Sequence, residues 1–238
     1  MRSGSGSVRG AGLHSLVGDA PDGLTLIGDG QQSIYPGGYT LAELGISVTG
    51  RAVVMDINYR NTREVLGFAQ RMVEGDEVAD IEGDVAGRAT RTGAQPVVES
   101  FTSWGARFAA VTERVRAVTR EVGTGLGAVG VLCVGTRAAK EVHDVLRAAG
   151  IATVDLLDYD GTQADAVKVG TIKRAKGLEF KQVLMADVRA EWLADGALGA
   201  SVGPGEVDDE QTEQRTLLRR ELYVAMTRAR DGLWIGVV

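Results

Sequence analysis

Apolar residues in this chain fall into short runs, and the text between the runs repeats with helical spacing. Residues 24–27, 52–57, 97–101, 129–134, 151–156, 166–171, 183–186 and 233–238 each read as a strand, bounded by Gly, Asn, Asp or Ser. Between them four helices are predicted. Val65, Leu66, Ala69, Met72 and Val73 follow a cap at Asn61 or Thr62, and Trp104, Phe108, Val111, Val115, Val118 and Val122 follow a cap at Ser103. Val142, Val145, Leu146 and Ala149 follow a cap at Thr136 and are closed by Gly150. Leu218, Leu222, Ala225, Met226 and Ala229 define the last, from about residue 212 to 229. Strands alternating with helices predict an α/β fold, a mostly parallel sheet with helices on both faces. Residues 74–95 and 195–213 carry neither period and read as a loop and an acidic surface excursion. The Gly/Ser-rich residues 1–12 are expected to be mobile.

Composition narrows the class. With 238 residues, 44% of them hydrophobic, the chain can bury one sizeable core. Its net charge of −6 gives no overall attraction to nucleic acid, so any such contact must come from a local patch. Cys133 is the single cysteine and lies in an apolar run, which rules out disulfide and Cys-cluster zinc frameworks and fits a reducing compartment. No run approaches the eighteen or so apolar residues of a spanning helix, and no signal-peptide pattern opens the chain, so no membrane contact and a cytoplasmic location are expected. His14 and His143 are isolated, and Cys133 and Trp104 read as core residues.

Polar chemistry collects where strands end. The run at 24–27 stops at Gly28-Asp29-Gly30, followed by Gln31 to Tyr35, and the run at 52–57 leads into Asn58-Tyr59-Arg60. The strand at 166–171 runs into Lys173, Arg174, Lys176, Gly177 and Glu179 before the next strand begins. A glycine-containing, lysine-bearing loop at a strand end puts backbone N–H groups and cations in the crevice where α/β sheets bind ligands. A Lys-Gly pair in a basic loop is by itself more often a solvated turn. In the last helix Glu221 and Arg228, seven apart, are predicted to share one face.

Taken together, these stretches resemble the superfamily 1 helicases of the UvrD/Rep type, which hydrolyse ATP to move along single-stranded DNA. Residues 28–35 (G-D-G-Q-Q-S-I-Y) look like motif III and Asn58-Tyr59-Arg60 like motif IV. Residues 171–180 (T-I-K-R-A-K-G-L-E-F) look like motif V, and 219–229 (R-R-E-L-Y-V-A-M-T-R-A) like motif VI. The resemblance implies a RecA-like sheet of the P-loop NTPase type. It implies that Tyr59 stacks on adenine, that Arg60 and Arg228 reach the γ-phosphate as arginine fingers, and that Gln32 senses that phosphate. Glu179 would accept from a ribose hydroxyl, Gly177 would let the backbone approach the nucleotide, and Tyr35, Tyr39, Thr171 and Lys173 would face single-stranded DNA. Without the motifs, Tyr59 would read as a packing tyrosine and either arginine as a surface ion pair.

The sequence departs from that pattern in three places. Gly37 stands where family members commonly have a base-stacking Trp, which leaves Tyr39 as the nearby aromatic, and Lys173 stands where motif V usually has His. Nothing reads G-x-x-x-x-G-K-S/T, so the P-loop lysine and the magnesium ligands are expected on an upstream P-loop domain, in the same native chain or on a partner. Residues 1–50 are then expected to be a remnant of the first RecA-like domain and 51–238 the second. The expected function is the C-terminal motor portion of an ATP-dependent DNA helicase, using ATP with Mg2+ and inactive as a hydrolase alone. The alternative is a RecA-like remnant that binds nucleotide, DNA or protein without hydrolysis.

Overall fold

The computed structural model describes residues 25, 53, 57–74, 88–194 and 209–238. The strand expected at 24–27, the motif III stretch and the division at residue 50 lie outside the described residues, as does most of the run at 52–57. Among the described residues six strands form one sheet in the order β3, β8, β7, β4, β6, β5: β3 (Val97–Ser100), β4 (Val129–Cys133), β5 (Thr153–Asp155), β6 (Val167–Thr171), β7 (Phe180–Val188) and β8 (Ala229–Val237). Every neighbouring pair is parallel, as strand–helix alternation predicts. The central β4 is buried at all five residues, which is why it reads as an unbroken apolar run and not as an alternation.

Helices cover both faces. On one, α1 (Arg63–Gln70) and α5 (Asp209–Met226) contribute Val65, Phe68, Ala69, Leu222, Ala225 and Met226 to a core shared with Leu132, Val183, Met185 and Ile235. On the other, α2 (Trp104–Val118) and α3 (Thr136–Ala148) pack Val111, Val115, Val118, Val142 and Leu146 against Val129, Val131, Val169 and Trp234. A short helix, α4 (Ala190–Ala194), follows β7. The caps at Thr62 and Ser103 form as expected, each side chain accepting a backbone N–H three residues on. Gly150, with φ at +75°, closes α3.

Several sequence expectations need correction. Residues 58–60 lie within a strand, β1 (Ile57–Thr62), rather than after one, and β1 pairs in parallel with β2 (Arg88–Arg91), inside a stretch read as loop. Gly135, not Thr136, caps α3. Val122 falls beyond α2 and is 98% exposed, and Trp104, expected in the core, is 46% exposed because it opens the helix at the surface. The last helix starts at Asp209 and ends at Met226, so Ala229 belongs to β8 and Arg228 sits in the joint between them. Glu221 and Arg228 therefore do not share an outward helical face, and both are buried.

Candidate functional site

Three stretches far apart in sequence meet at the start of β7 and β8. The Arg60 Nε, on β1, donates to the Glu179 carboxylate at 2.8 Å, and Arg230 Nη1 lies 3.8 Å from the other oxygen of that carboxylate. Glu179 immediately precedes β7 and follows Gly177, whose φ of +89° falls in the left-handed region that favours glycine. Its neighbours on each side touch Arg228: the Phe180 N–H donates to the Arg228 carbonyl at 2.9 Å, and Arg228 Nη1 donates to the Leu178 carbonyl at 3.4 Å. Tyr59 precedes Arg60 on β1 and is 71% exposed. Arg60, Glu179 and Arg228, with Gly177 two residues before Glu179, thus belong to one neighbourhood, and Tyr59 adjoins it through the β1 backbone.

The two arginines differ in setting. Arg60 is half-exposed, and its ion pair with Glu179 is open to solvent. Arg228 is 2% exposed, with Nε donating to the Val224 carbonyl at 3.0 Å and Nη2 reaching the Thr227 hydroxyl at 3.4 Å. Thr171 ends β6, its carbonyl accepting from the Arg174 and Ala175 N–H groups to turn the chain towards Gly177. Lys173 lies in that turn and is ion-paired at 2.9 Å to the buried Glu221 on α5. Gln32, Tyr35 and Tyr39 lie outside the described residues.

Two residues here are not marked by the sequence as part of the site, Asn61 reading only as a candidate helix cap. Asn61, 1% exposed, donates its side-chain amide to the carbonyls of Thr227 and Ala229, on either side of Arg228. Arg91, on β2, donates to the Arg60 and Arg230 carbonyls and to the Asp231 carboxylate, fastening the small β1–β2 pair to the start of β8. A motif window one residue longer takes in Asn61, whereas Arg91 sits in polar text without period.

A second polar group lies on the α2–α3 face. Asp187, near the end of β7, accepts the Val134 and Gly135 N–H groups at 2.7 and 3.0 Å and so tethers the turn that opens α3. Burial pushes its carboxyl above the ordinary carboxylate range, against those two bonds and the nearby Arg107 guanidinium, which pull it down. Arg107 is fully buried and stacks 3.8 Å from the Trp104 ring centre; burial lowers its pKa, with Asp187 opposing. The Cys133 thiol beside them is raised well above its ordinary value, mainly by burial, and is not a poised nucleophile. Among the described residues no cluster of three or more His, Cys, Asp or Glu could hold a metal, and no helix is long and apolar enough to cross a membrane.

Comparison with known proteins finds a family match and a likeness of fold. The family model of the UvrD-like helicase C-terminal domain matches residues 153–238, which run from β5 through the Gly177–Glu179 loop and α5 to β8. No curated protein matches the chain. Among solved structures the chain is similar to the C-terminal domain of a possible DNA helicase from Lactobacillus plantarum WCFS1. That likeness has a TM-score of 0.52 at 19% identity, covers 76% of this chain and 88% of that one, and is a likeness of fold. The segment that contributes Glu179 and Arg228 to the site, residues 153–238, is thus the part of the chain that matches the UvrD-like helicase C-terminal domain.

Proposed function

We propose that this chain forms one wall of the ATP site of a DNA helicase motor, the opposite wall coming from an upstream P-loop domain in the same native chain or on a partner. The carrying observation is the meeting of Arg60, Glu179 and Arg228, with 119 residues separating the first two. Guanidinium groups are planar, always charged and matched to phosphate oxygens. A carboxylate beside them suits a ribose hydroxyl, and an exposed tyrosine ring suits a base. Bound between the two domains, ATP with Mg2+ would supply the phosphoryl group to be transferred. Tyr59 would orient adenine and Glu179 the ribose, while Arg60 and Arg228 would stabilise charge on the γ-phosphate, an effect worth about 10³–10⁵ in rate for arginine fingers.

The magnesium ligands belong, in this reading, to the upstream domain. Arg60 would exchange the Glu179 carboxylate for phosphate, which its exposure permits. Arg228 holds two of its contacts at 3.4 Å, on neutral acceptors that a phosphate oxygen outcompetes. Single-stranded DNA would meet Thr171 and Lys173, together with Tyr35 and Tyr39, and at Lys173 a DNA phosphate would compete with Glu221. Gln32 would report the γ-phosphate.

Steady-state ATP hydrolysis by residues 1–238, with and without single-stranded DNA, tests the half-site. No turnover is expected from the chain alone. DNA-stimulated turnover that Arg228→Ala abolishes would mean that the chain carries a complete site.

A further inference from the structure

The side-chain amide of Asn61 is fully used. Its Oδ1 accepts from Asn58 Nδ2 at 2.9 Å, and its Nδ2 donates to the Thr227 carbonyl at 3.0 Å and the Ala229 carbonyl at 2.6 Å. A primary amide has two N–H donors, and these two carbonyls bracket Arg228. The carbonyl between them, that of Arg228, accepts the Phe180 N–H at 2.9 Å. Three consecutive carbonyls, from the joint after α5 to the first residue of β8, are thus held by β1 and by the start of β7.

The other end of the bracket fixes Arg60. Asn58 Oδ1 accepts the backbone N–H groups of both Arg60 and Asn61 at 2.9 Å, which sets the backbone from which the Arg60 side chain reaches Glu179. Asp at position 61 would offer no donor, Ser only one, and Leu of similar size none, so the double bracket needs an amide. Asn61 is 1% exposed, and water does not compete for these bonds.

We propose that Asn61 is a positioning residue that holds Arg60 and Arg228 as one rigid unit, so that a single closure of the cleft delivers both guanidiniums to the same phosphate. This rests on the reading that both arginines face the γ-phosphate. Misplacement of a catalytic group by about 1 Å can cost 10²-fold, so the spacing of two fingers on different elements has to be held by something stiffer than the exposed Arg60–Glu179 ion pair. If Asn61 only satisfies two buried carbonyls, its loss lowers stability without altering which nucleotide the site prefers.

The test is calorimetric titration of the full chain with MgATP, MgADP and AMP, for the wild type, Asn61→Ala and Asn61→Asp. The wild type is expected to hold ATP more tightly than ADP. Both variants should lose that preference by about fivefold or more, while AMP affinity, which depends on the base and ribose contacts, moves by less than about twofold. Arg60→Ala and Arg228→Ala should be non-additive on the ATP preference in the wild type and additive in Asn61→Ala. Should the position 61 variants fail to fold, Asn58→Ala reads the same ratio, because it frees the Arg60 N–H and the Asn61 oxygen while leaving both Asn61 donors in place. A wild type that holds ATP and ADP equally sinks the reading of the site and this inference with it. A wild type that prefers ATP, with variants that keep the preference, sinks the inference alone.

Discussion

Asp187→Asn should destabilise the fold, with a pH dependence that shows which force governs the site. The carboxylate accepts two backbone N–H groups at 2.7 and 3.0 Å and is 6% exposed, so solvent screening does little to weaken either bond. Asparagine keeps one acceptor and turns an NH2 towards the other N–H, which loses one charge-assisted bond and leaves a buried donor unpaired. Each of those changes is worth about 1–3 kcal/mol, partly offset because the amide needs no desolvated charge. The net cost is on the order of 1–3 kcal/mol at neutral pH, or roughly 2–12 °C in Tm for a chain of this size. The sign with pH follows from burial. Ionised Asp187 is less favourable in the folded chain than in the unfolded one, which is why its folded pKa lies above 3.8. The wild type therefore gains stability as pH falls through that raised value and stops gaining below 3.8, whereas asparagine does not titrate. Thermal melts of both proteins between pH 7 and pH 4 should show the wild-type advantage widening in acid. An advantage that narrows would mean that the backbone bonds and Arg107 outweigh desolvation, the reverse of the order argued here.

Gly130→Ala places a Cβ 2.6 Å from the ring of Phe180, which is buried and cannot swing clear, so a loss of about 1–3 kcal/mol is expected in chemical denaturation. Adding Phe180→Leu should recover part of it, and no recovery would place the strain elsewhere. Glu179→Ala removes a carboxylate whose arginine partners are half-exposed, so the stability cost should stay within about 1 kcal/mol while nucleotide affinity falls. Unchanged affinity for ATP, ADP and AMP in that variant would remove Glu179 from the site.

The large elements were legible because their burial is two-sided or striped. The all-apolar run of β4 and the three-to-four spacing on α2 and α3 leave little freedom of reading. Short polar pieces were not. The strand β2 is Arg-Ala-Thr-Arg, half-exposed and, among the described residues, paired only with β1, and no periodic pattern in its own residues marks it. Buried charges were hidden for a related reason. Lys168 alternates along β6 like an outward residue, yet it is 5% exposed because its ammonium donates to the Gly127 and Ala164 carbonyls, which come from other segments. Of the candidate site, the arginines and Glu179 were found by motif. The contact between them, and the Asn61 bracket beneath, are tertiary facts that no local window contains.

The candidate site divides its bonds by burial in a way that would suit the cleft proposed above. Backbone positions are set by interactions closed to water: Asn61 on the α5–β8 joint, and the Phe180 N–H on the Arg228 carbonyl. Around Glu179 the side-chain ends are held by interactions open to water, Arg60 on Glu179 and Glu179 on Arg230 at the longer distance of 3.8 Å, whereas the Arg228 guanidinium is closed to it. Exposed ion pairs contribute about 0–1 kcal/mol each and are readily exchanged, whereas buried donors left unpaired cost more. A framework arranged the other way, with exchangeable backbone contacts and deeply buried guanidinium–carboxylate pairs, would have to unfold locally each time a phosphate arrived. With this arrangement the Arg60 tip can trade one anion for another while the strand that carries it stays in register.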